Sequence, residues 1–510
     1  MLFTSYAFIA FVLVLLVLYY AVPKRFQKIV LFCGNVFFYF LSGWANLIYL
    51  GVTILSTYTA GVLCGKNQIA QKEYLKAHKE DLDREAKKAF KAKEKNKRKL
   101  IIGLAIVLNV AILTVVKLPA QFGLVMPMGI SFYTLMSLGY LLDIYWEKQT
   151  PEKNLFRYAL FVSYFPQLVQ GPISRFSELT ETLYKEQAFD WKNIYFGFYR
   201  VLWGFFKKLV IADRLATAIS TISGDFETYN GSYIFLEMFL YTIQLYADFS
   251  GGIDITIGVS EMLGIHVTEN FIRPYFSKSL KEYWRRWHIT MSTWFRDYLF
   301  YPISITKTMQ NFSKFLRKHF GDRIGKRLPV YVASFIVWFV TGIWHGTTSN
   351  FIVWGIVNYV ILMVSEELEP LYEKFHEKVI PADHKAWRFV MVLRTFTMLC
   401  FLKLFDCYVS AGQVFKAYAS AFTFRHFGEM VNGGWLNLGL SGLDYLIAGL
   451  GSLTILIVSL VQRKESVRIQ LSRKPFALQA LVCGSLFVAT LIFGAYGMGY
   501  DASQFIYNRF

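Results

Sequence analysis

Two histidines stand where an imidazole could do chemistry. His345 lies in Thr341–Asn350, reading TGIWHGTTSN, between the apolar runs 330–340 and 351–364. Residues 344–350 are mostly polar and include a glycine, so a helix entering from either side has to break there. A polar break beside hydrocarbon is tolerated only where it is buried in protein or lines a water-filled cavity, which puts His345 inside such a cavity. An imidazole titrates near neutrality, so it can act as general base on a hydroxyl or carry an acyl group on nitrogen. A lone histidine near a helix end more often has a structural job, and residue type alone leaves both readings standing.

His288 lies in Ser279–Pro302, reading SLKEYWRRWHITMSTWFRDYLFYP. Ser279 and Glu282 form a capping-box pair and Pro302 closes the segment, which predicts one helix of about five turns. On that helix Trp284, Trp287, His288, Met291, Phe295 and Tyr298 share a face, while Lys281, Arg285, Ser292 and Arg296 lie on another. An interfacial helix anchored by its Arg and Trp side chains has the same composition. The neighbours Arg296 and Asp297, with Arg285 and Arg286 one to three turns earlier, favour a wet cavity or an anionic ligand, and a phosphate-bearing acyl donor suits them.

Two further segments combine apolar residues with turn formers: YFPQLVQGPISR at 164–175 and QLYADFSGGIDITIG at 244–258. Asp248 and Asp254 fall in or beside an apolar run, where an unpaired carboxylate is costly, so each requires a partner. Arg273 and the cations of 285–296 are the candidates. The remaining histidines, at 78, 266, 319, 376, 384 and 426, lie in polar surroundings and read as surface residues.

The elements that must hold these residues are membrane helices. Of the 510 residues 55% are apolar and only 17% charged, too little polar surface for a soluble globule. A span needs roughly 20 apolar residues, and apolar runs recur from 7–22 to 476–499. They predict an all-α polytopic membrane protein of about ten to thirteen transmembrane, re-entrant and interfacial helices. The runs ending at Pro172 and at Trp344 are short, which predicts broken helices. The first run lacks a basic leader and is followed by Lys24, Arg25 and Lys28, so it reads as a retained helix with its N-terminus facing outward. The same rule puts the basic segment 66–99 in the cytoplasm, with Leu75–Lys99 as a solvated helix near anionic lipid.

The net charge of +19 is therefore a statement about lipid and topology, not nucleic acid. The cysteines at 33, 64, 400, 407 and 483 lie in apolar stretches without a Cys-x-x-Cys pair and read as buried free thiols, with no disulfide framework or metal site. No linker divides the chain, so 1–510 reads as a single membrane-embedded domain.

Several motifs, in order, resemble the membrane-bound O-acyltransferase family, and specifically its bacterial branch that O-acetylates alginate and peptidoglycan. They are FPQLVQGPI at 165–173, LYADFSG at 245–251 with Asp254, ENFIRPY at 269–275, YWRRWHITMSTWFRDYLFYP at 283–302, and WHG at 344–346. The resemblance is close over 120–365, the expected catalytic core. It implies a tunnel across the bilayer with His345 near its centre and His288 close by as the catalytic pair. It also implies donor-tunnel and supporting roles for Trp344, Gly346, Trp284, Arg285, Arg286, Trp287, Ser292, Arg296, Asp297, Tyr298, Asp248, Asp254, Gln167, Gln170 and Pro172. Acetyl-CoA is the implied donor, with no permanently bound cofactor. A secreted or membrane-anchored acetyltransferase is the implied partner, modifying a cell-envelope polysaccharide at the bacterial cytoplasmic membrane.

Two departures bear on the polymer. Gly252 and Ile253 stand where the family commonly has Tyr-Ser, and the glycine-rich stretch often found after RDYL is absent beyond Pro302. They leave the chemistry alone and weaken any claim to alginate in particular. The branch that transfers D-alanine to teichoic acid ranks second, since it lacks the YADFSG-x-x-D pattern. A transporter or flippase would share the broken helices and intramembrane charges, but no inverted repeat is visible. A non-catalytic scaffold for a secreted enzyme is the third alternative.

Overall fold

The computed structural model describes residues 3–118 and 127–496. Residues 124–126 and 497–499 of the apolar runs, and the first residues of the 120–365 core, fall outside them. Among the described residues the chain is helical, with one isolated antiparallel bridge between Phe271 and Trp287. Six helices are long and apolar enough to cross a membrane: Asn46–Ala77, Arg84–Val116, Lys307–His345, Ser349–Glu367, Gly442–Val461 and Phe476–Phe493. The first apolar run forms the shorter helix Tyr6–Ala21. On the late helices Leu443 and Leu481 are each 64% exposed and Ile492 is 66% exposed. Such faces are stable only against hydrocarbon. The chain is a multi-pass membrane protein.

The chain divides into two compact units, one comprising 1–197 with 259–268, the other 198–258 with 269–510. In the first, we name Asn46–Ala77 α1 and Arg84–Val116 α2. The basic segment 66–99 is the end of this antiparallel hairpin, not a loop bearing one helix. Leu75–Lys99 is interrupted at 78–83, where Asp83 caps the second helix by accepting from the Ala86 N–H at 2.6 Å. Polar rungs hold the two together: Asn67 donates to Glu94, and Arg98 donates to Gln71 at 2.7 Å and to Asn67 at 3.0 Å. The run 156–172 is broken, as its length predicts, into Leu155–Val162 and Phe165–Gln170.

In the second unit, the 198–205 part of helix α3 (Trp191–Phe205) continues as a π-helix over Phe206–Ala212 and packs on the 233–258 part of α4 (Tyr233–Met262). A Cβ on Gly204 would meet the Gly251 carbonyl at 2.5 Å, so the backbones touch where both residues lack side chains. Farther along, α5 (Lys307–His345), which kinks sharply at Gly321 (φ +85°), and α6 (Ser349–Glu367) form a second close hairpin. A Cβ on Gly355 would meet the Trp338 carbonyl at 2.5 Å, and one on Gly342 the Phe351 carbonyl at 2.7 Å. The helix break near His345 is shorter than the polar run: α5 extends through His345, and only 346–348 separate it from α6. Thr348 and Ser349 favour a helix start as readily as a loop.

The expectation of one five-turn helix over 279–302 is wrong. Ser279 does cap a helix, accepting from the Glu282 N–H at 3.1 Å, but that helix is only Leu280–Trp284. The chain then leaves helical geometry, His288 takes the left-handed conformation at φ +46°, and a new helix, Ile289–Phe295, begins. Local propensity loses to long-range pairing here. The Ile272 N–H donates to the Arg286 carbonyl at 2.9 Å and the Ile289 N–H to the Asn270 carbonyl at 3.0 Å, so ENFIRPY runs as a partner alongside and replaces helical bonds. Of the cysteines, Cys64 and Cys400 are buried free thiols, Cys407 and Cys483 are half-buried, and Cys33 is exposed on its helix face.

Candidate active site

His345 closes α5, and α6 returns past it so that its ring meets Trp354 edge-to-face at 5.0 Å; Trp344 meets it likewise at 5.0 Å. The Trp354 contact follows from the close hairpin, because Gly342 and Gly355 let the helices approach, whereas Trp344 is the neighbour of His345 in the chain. A Cβ on Gly346 would strike the Phe351 ring at 2.2 Å, so the turn after His345 holds only a glycine. The histidine opens into a small cavity. Its wall includes Tyr283, Trp284, Trp287, Trp354, Asn358, Lys403 and Asp406. Trp284 is steered by its indole N–H, which donates to the Asn358 carbonyl at 3.3 Å.

His288 is fully buried beside this cavity. Its ring lies 4.9 Å from Phe249 and 6.1 Å from Trp344, and the two histidines are close enough to interact electrostatically. Asn270 fixes its orientation. The Asn270 side-chain carbonyl accepts from the Thr290 N–H at 3.0 Å and from the Thr290 hydroxyl at 2.9 Å. His288 Nδ1 lies 3.2 Å from the Asn270 amide nitrogen and 3.3 Å from the same side-chain oxygen. The strained left-handed backbone at His288 is the kind of local cost that persists where surrounding contacts over-determine it.

The two aspartates have partners other than the expected ones. Asp248 accepts from Lys208 at 2.5 Å, and Lys208 also lies 2.7 Å from Asp213. Asp254 accepts from Lys207 at 2.5 Å and Arg200 at 2.9 Å, while Arg200 also engages Glu269 at 2.5 and 2.6 Å. All these cations come from the α3 stretch, whose close seam with α4 brings them within reach. Arg273 instead lies over the Phe276 ring at 4.7 Å, and burial followed by the nearby Arg286 and Arg463 guanidiniums pulls its own below the usual range. Arg286 pairs with Glu282 at 2.5 Å and Arg296 with Asp297 at 2.7 Å.

Of the residues singled out by sequence, His345, Trp284 and Trp287 share the cavity wall, with Trp344 and His288 behind it. Tyr298 is buried against Trp294, and Ser292 is half-buried; neither is on that wall. Arg285 and Arg296 are exposed. Gln167, Gln170 and Pro172 are buried in the other unit, where Gln167 donates to the Ser174 hydroxyl at 2.5 Å.

Asn270, Trp354, Asn358, Lys403 and Asp406 escaped the sequence reading. Lys403 and Asp406 had a usable signal, since they sit at the end of the apolar run 388–405 just as Asp248 sits in its own. Asn270 lies within a quoted motif and gives no sign of what it orients.

The model of the membrane-bound O-acyltransferase family matches residues 149–407, which is half of the chain and takes in the whole cavity. The chain belongs to this family. A probable alginate O-acetylase from Pseudomonas aeruginosa is 30% identical over 371 residues, 70% of this chain and 64% of that protein. A peptidoglycan O-acetyltransferase from Helicobacter pylori is 33% identical over 281 residues, 50% of each chain. A teichoic acid D-alanyltransferase from Bacillus subtilis is 26% identical over 299 residues, 56% of this chain and 69% of that one. The chain thus spans about 64% of the length of the Pseudomonas relative.

Proposed function

We propose that this membrane-bound O-acyltransferase takes an acetyl group from cytoplasmic acetyl-CoA and passes it across the membrane for O-acetylation of a cell-envelope or secreted polysaccharide, through a secreted or membrane-anchored acetyltransferase. The observation that carries the reading is His345 at the end of a helix, opening into an aromatic cavity with a second, buried histidine held by Asn270 beside it. An aromatic, largely apolar wall keeps bulk water from hydrolysing a thioester while leaving one basic nitrogen to act. The names of the relatives from Pseudomonas and Helicobacter favour acetyl as the group transferred. The Bacillus relative favours D-alanyl transfer to teichoic acid as the second reading.

Two routes are chemically balanced. His345 can take the proton of an acceptor hydroxyl as its oxygen bonds to the thioester carbonyl; the C–S bond then breaks and the thiolate recovers the proton. Alternatively the imidazole nitrogen bonds to the carbonyl carbon and the thiolate leaves with the ring proton; the acceptor oxygen then bonds to that carbon, the N–C bond breaks, and the hydroxyl proton returns to the ring.

The test is transfer of radiolabelled acetyl from acetyl-CoA, supplied on the side of the basic hairpin in proteoliposomes, by wild type, His345→Ala and His288→Ala. Label on protein or acceptor that vanishes with His345 is the expected result. Transfer unchanged in both variants, or none with any acyl donor in wild type, would overturn the reading in favour of a scaffold or a transporter. Label retained on wild-type protein in a single turnover separates the covalent route from the general-base route.

A further inference from the structure

The first segment of α5 takes no part in either acyl-transfer route. Thr306 caps it, accepting from the Met309 N–H at 3.2 Å, and the helix runs to Phe320 before Gly321 takes φ +85°. That is the left-handed region that favours glycine. The chain folds back there: the Ser313 hydroxyl donates to the Gly325 carbonyl at 2.7 Å, and a Cβ on Gly325 would meet the Arg317 nitrogen at 2.7 Å. The apolar part of α5 starts only at Leu328, so residues 307–320 lie where the span leaves hydrocarbon.

Within 307–320 the side chains separate by kind. At about 3.6 residues per turn, Lys307, Lys314, Arg317 and Lys318 fall within an arc of about 120°, together with Gln310 and Asn311. Met309, Phe312, Phe315, Leu316 and Phe320 occupy the opposite side. Leu316 is buried at the fold-back, but Phe315 is 53% and Phe320 58% exposed. Ser313 and His319 also fall on that side, and both are engaged with backbone carbonyls, His319 Nδ1 at 2.9 Å from that of Phe315. No Asp or Glu occurs between 302 and 321. All four cations are exposed, and among the described residues none of them makes an ion pair. Asp322, the first acid beyond, is taken by Lys326 at 3.1 Å.

We propose that residues 307–320 form a contact surface for anionic phospholipid headgroups, lying in the plane of the bilayer interface. The proposal is independent of the acyl-transfer reading. Exposed phenylalanines favour acyl chains and unpaired cations favour phosphates, and the headgroup boundary supplies both around a single helix. An acidic soluble surface answers the cations but gives Phe315 and Phe320, on the opposite side, nothing to enter. The basic end of α2 differs: Lys88 and Lys93 project from roughly opposite sides of it, so it has no apolar side with which to enter a bilayer. Because α5 ends on His345, the contact anchors the far end of the helix that carries it.

The test is amide hydrogen exchange of the full chain in nanodiscs of phosphatidylcholine, and in nanodiscs with a third of that lipid replaced by phosphatidylglycerol. Exchange across 307–320 is expected to slow at least tenfold with the anionic lipid, while 84–99 changes less than twofold. Lys307→Gln, Lys314→Gln, Arg317→Gln and Lys318→Gln combined should abolish the difference. Lys307→Arg, Lys314→Arg and Lys318→Arg combined should keep it. Exchange in α6 of each sample shows whether a variant has folded, and the wild-type comparison decides alone where one has not. Equal exchange across 307–320 in the two lipids would remove the contact, and slowing shared equally by 84–99 would reduce it to net charge. Either result overturns the proposal, as does a difference that survives the four Gln substitutions. Slowing produced by a soluble polyglutamate peptide in phosphatidylcholine discs, and not by phosphatidylglycerol, would assign the surface to an acidic protein instead.

Discussion

Buried lysines occur in two parts of the second unit, and their surroundings are opposite. Lys207 and Lys208 sit at the α3–α4 seam with carboxylates at 2.5 Å, and Arg200 completes the network through Asp254 and Glu269. Every strong charge there is answered by another within hydrogen-bond reach, which is what a structural ion network requires. Lys403 is held at 3.9 Å over an aromatic face on a cavity wall that also carries His345. Cation–π contact holds an ammonium without consuming all its donors, so that lysine keeps capacity to act on whatever enters. The difference teaches that a charge in an apolar stretch does not by itself mark chemistry; its partners do.

The comparison breaks most easily at His345. His345→Ala is expected to lower acetyl transfer roughly 10³-fold, the scale of lost general-base catalysis, while the melting temperature in detergent changes little. A variant that melts early as well would make His345 part of the scaffold. Lys208→Met should do the reverse, leaving Asp248 and Asp213 buried without their cation at a cost of about 3–5 kcal/mol. That appears as a large fall in melting temperature, and a Lys208→Met, Asp248→Leu double variant should recover part of it. A melting curve unchanged by Lys208→Met would deny the seam its structural role.

Asn270→Ala sharpens the boundary between the two kinds of site. It removes the groups that orient His288 and receive Thr290, at about 1–3 kcal/mol for the polar atoms left buried. Transfer should fall about tenfold or more, and the pH profile should shift, because the His288 ring loses the partner of its Nδ1. An identical pH profile with only lowered stability would reduce Asn270 to packing. Least affected should be Arg285→Gln: the side chain is exposed, and stability should stay within about 0.5 kcal/mol of wild type by thermal melting.

Much of the site was legible before any coordinates. The polar break around WHG flagged His345, and the intramembrane rule flagged Asp248 and Asp254. What failed is also instructive. The partners offered for the aspartates were the cations nearest in motif, whereas the real ones, Arg200, Lys207 and Lys208, come from an apolar stretch whose register against α4 is set by Gly204 and Gly251. The five-turn helix failed because ENFIRPY pairs alongside residues 286–289, an interaction 14 to 19 positions away in the chain that no local pattern reports.

The sequence by itself determined the solvent, the helical class, the family motifs and the two histidines, because hydropathy, helix periodicity and the cost of a polar break are local properties of the chain. Only the tertiary structure decided that His345 and Lys403 share one cavity, that Asn270 orients His288, and that the α3 lysines neutralise the α4 aspartates. Those facts depend on how closely helices approach and which turns they rotate toward each other. That is set by small residues at the seams and by pairings between segments distant in sequence.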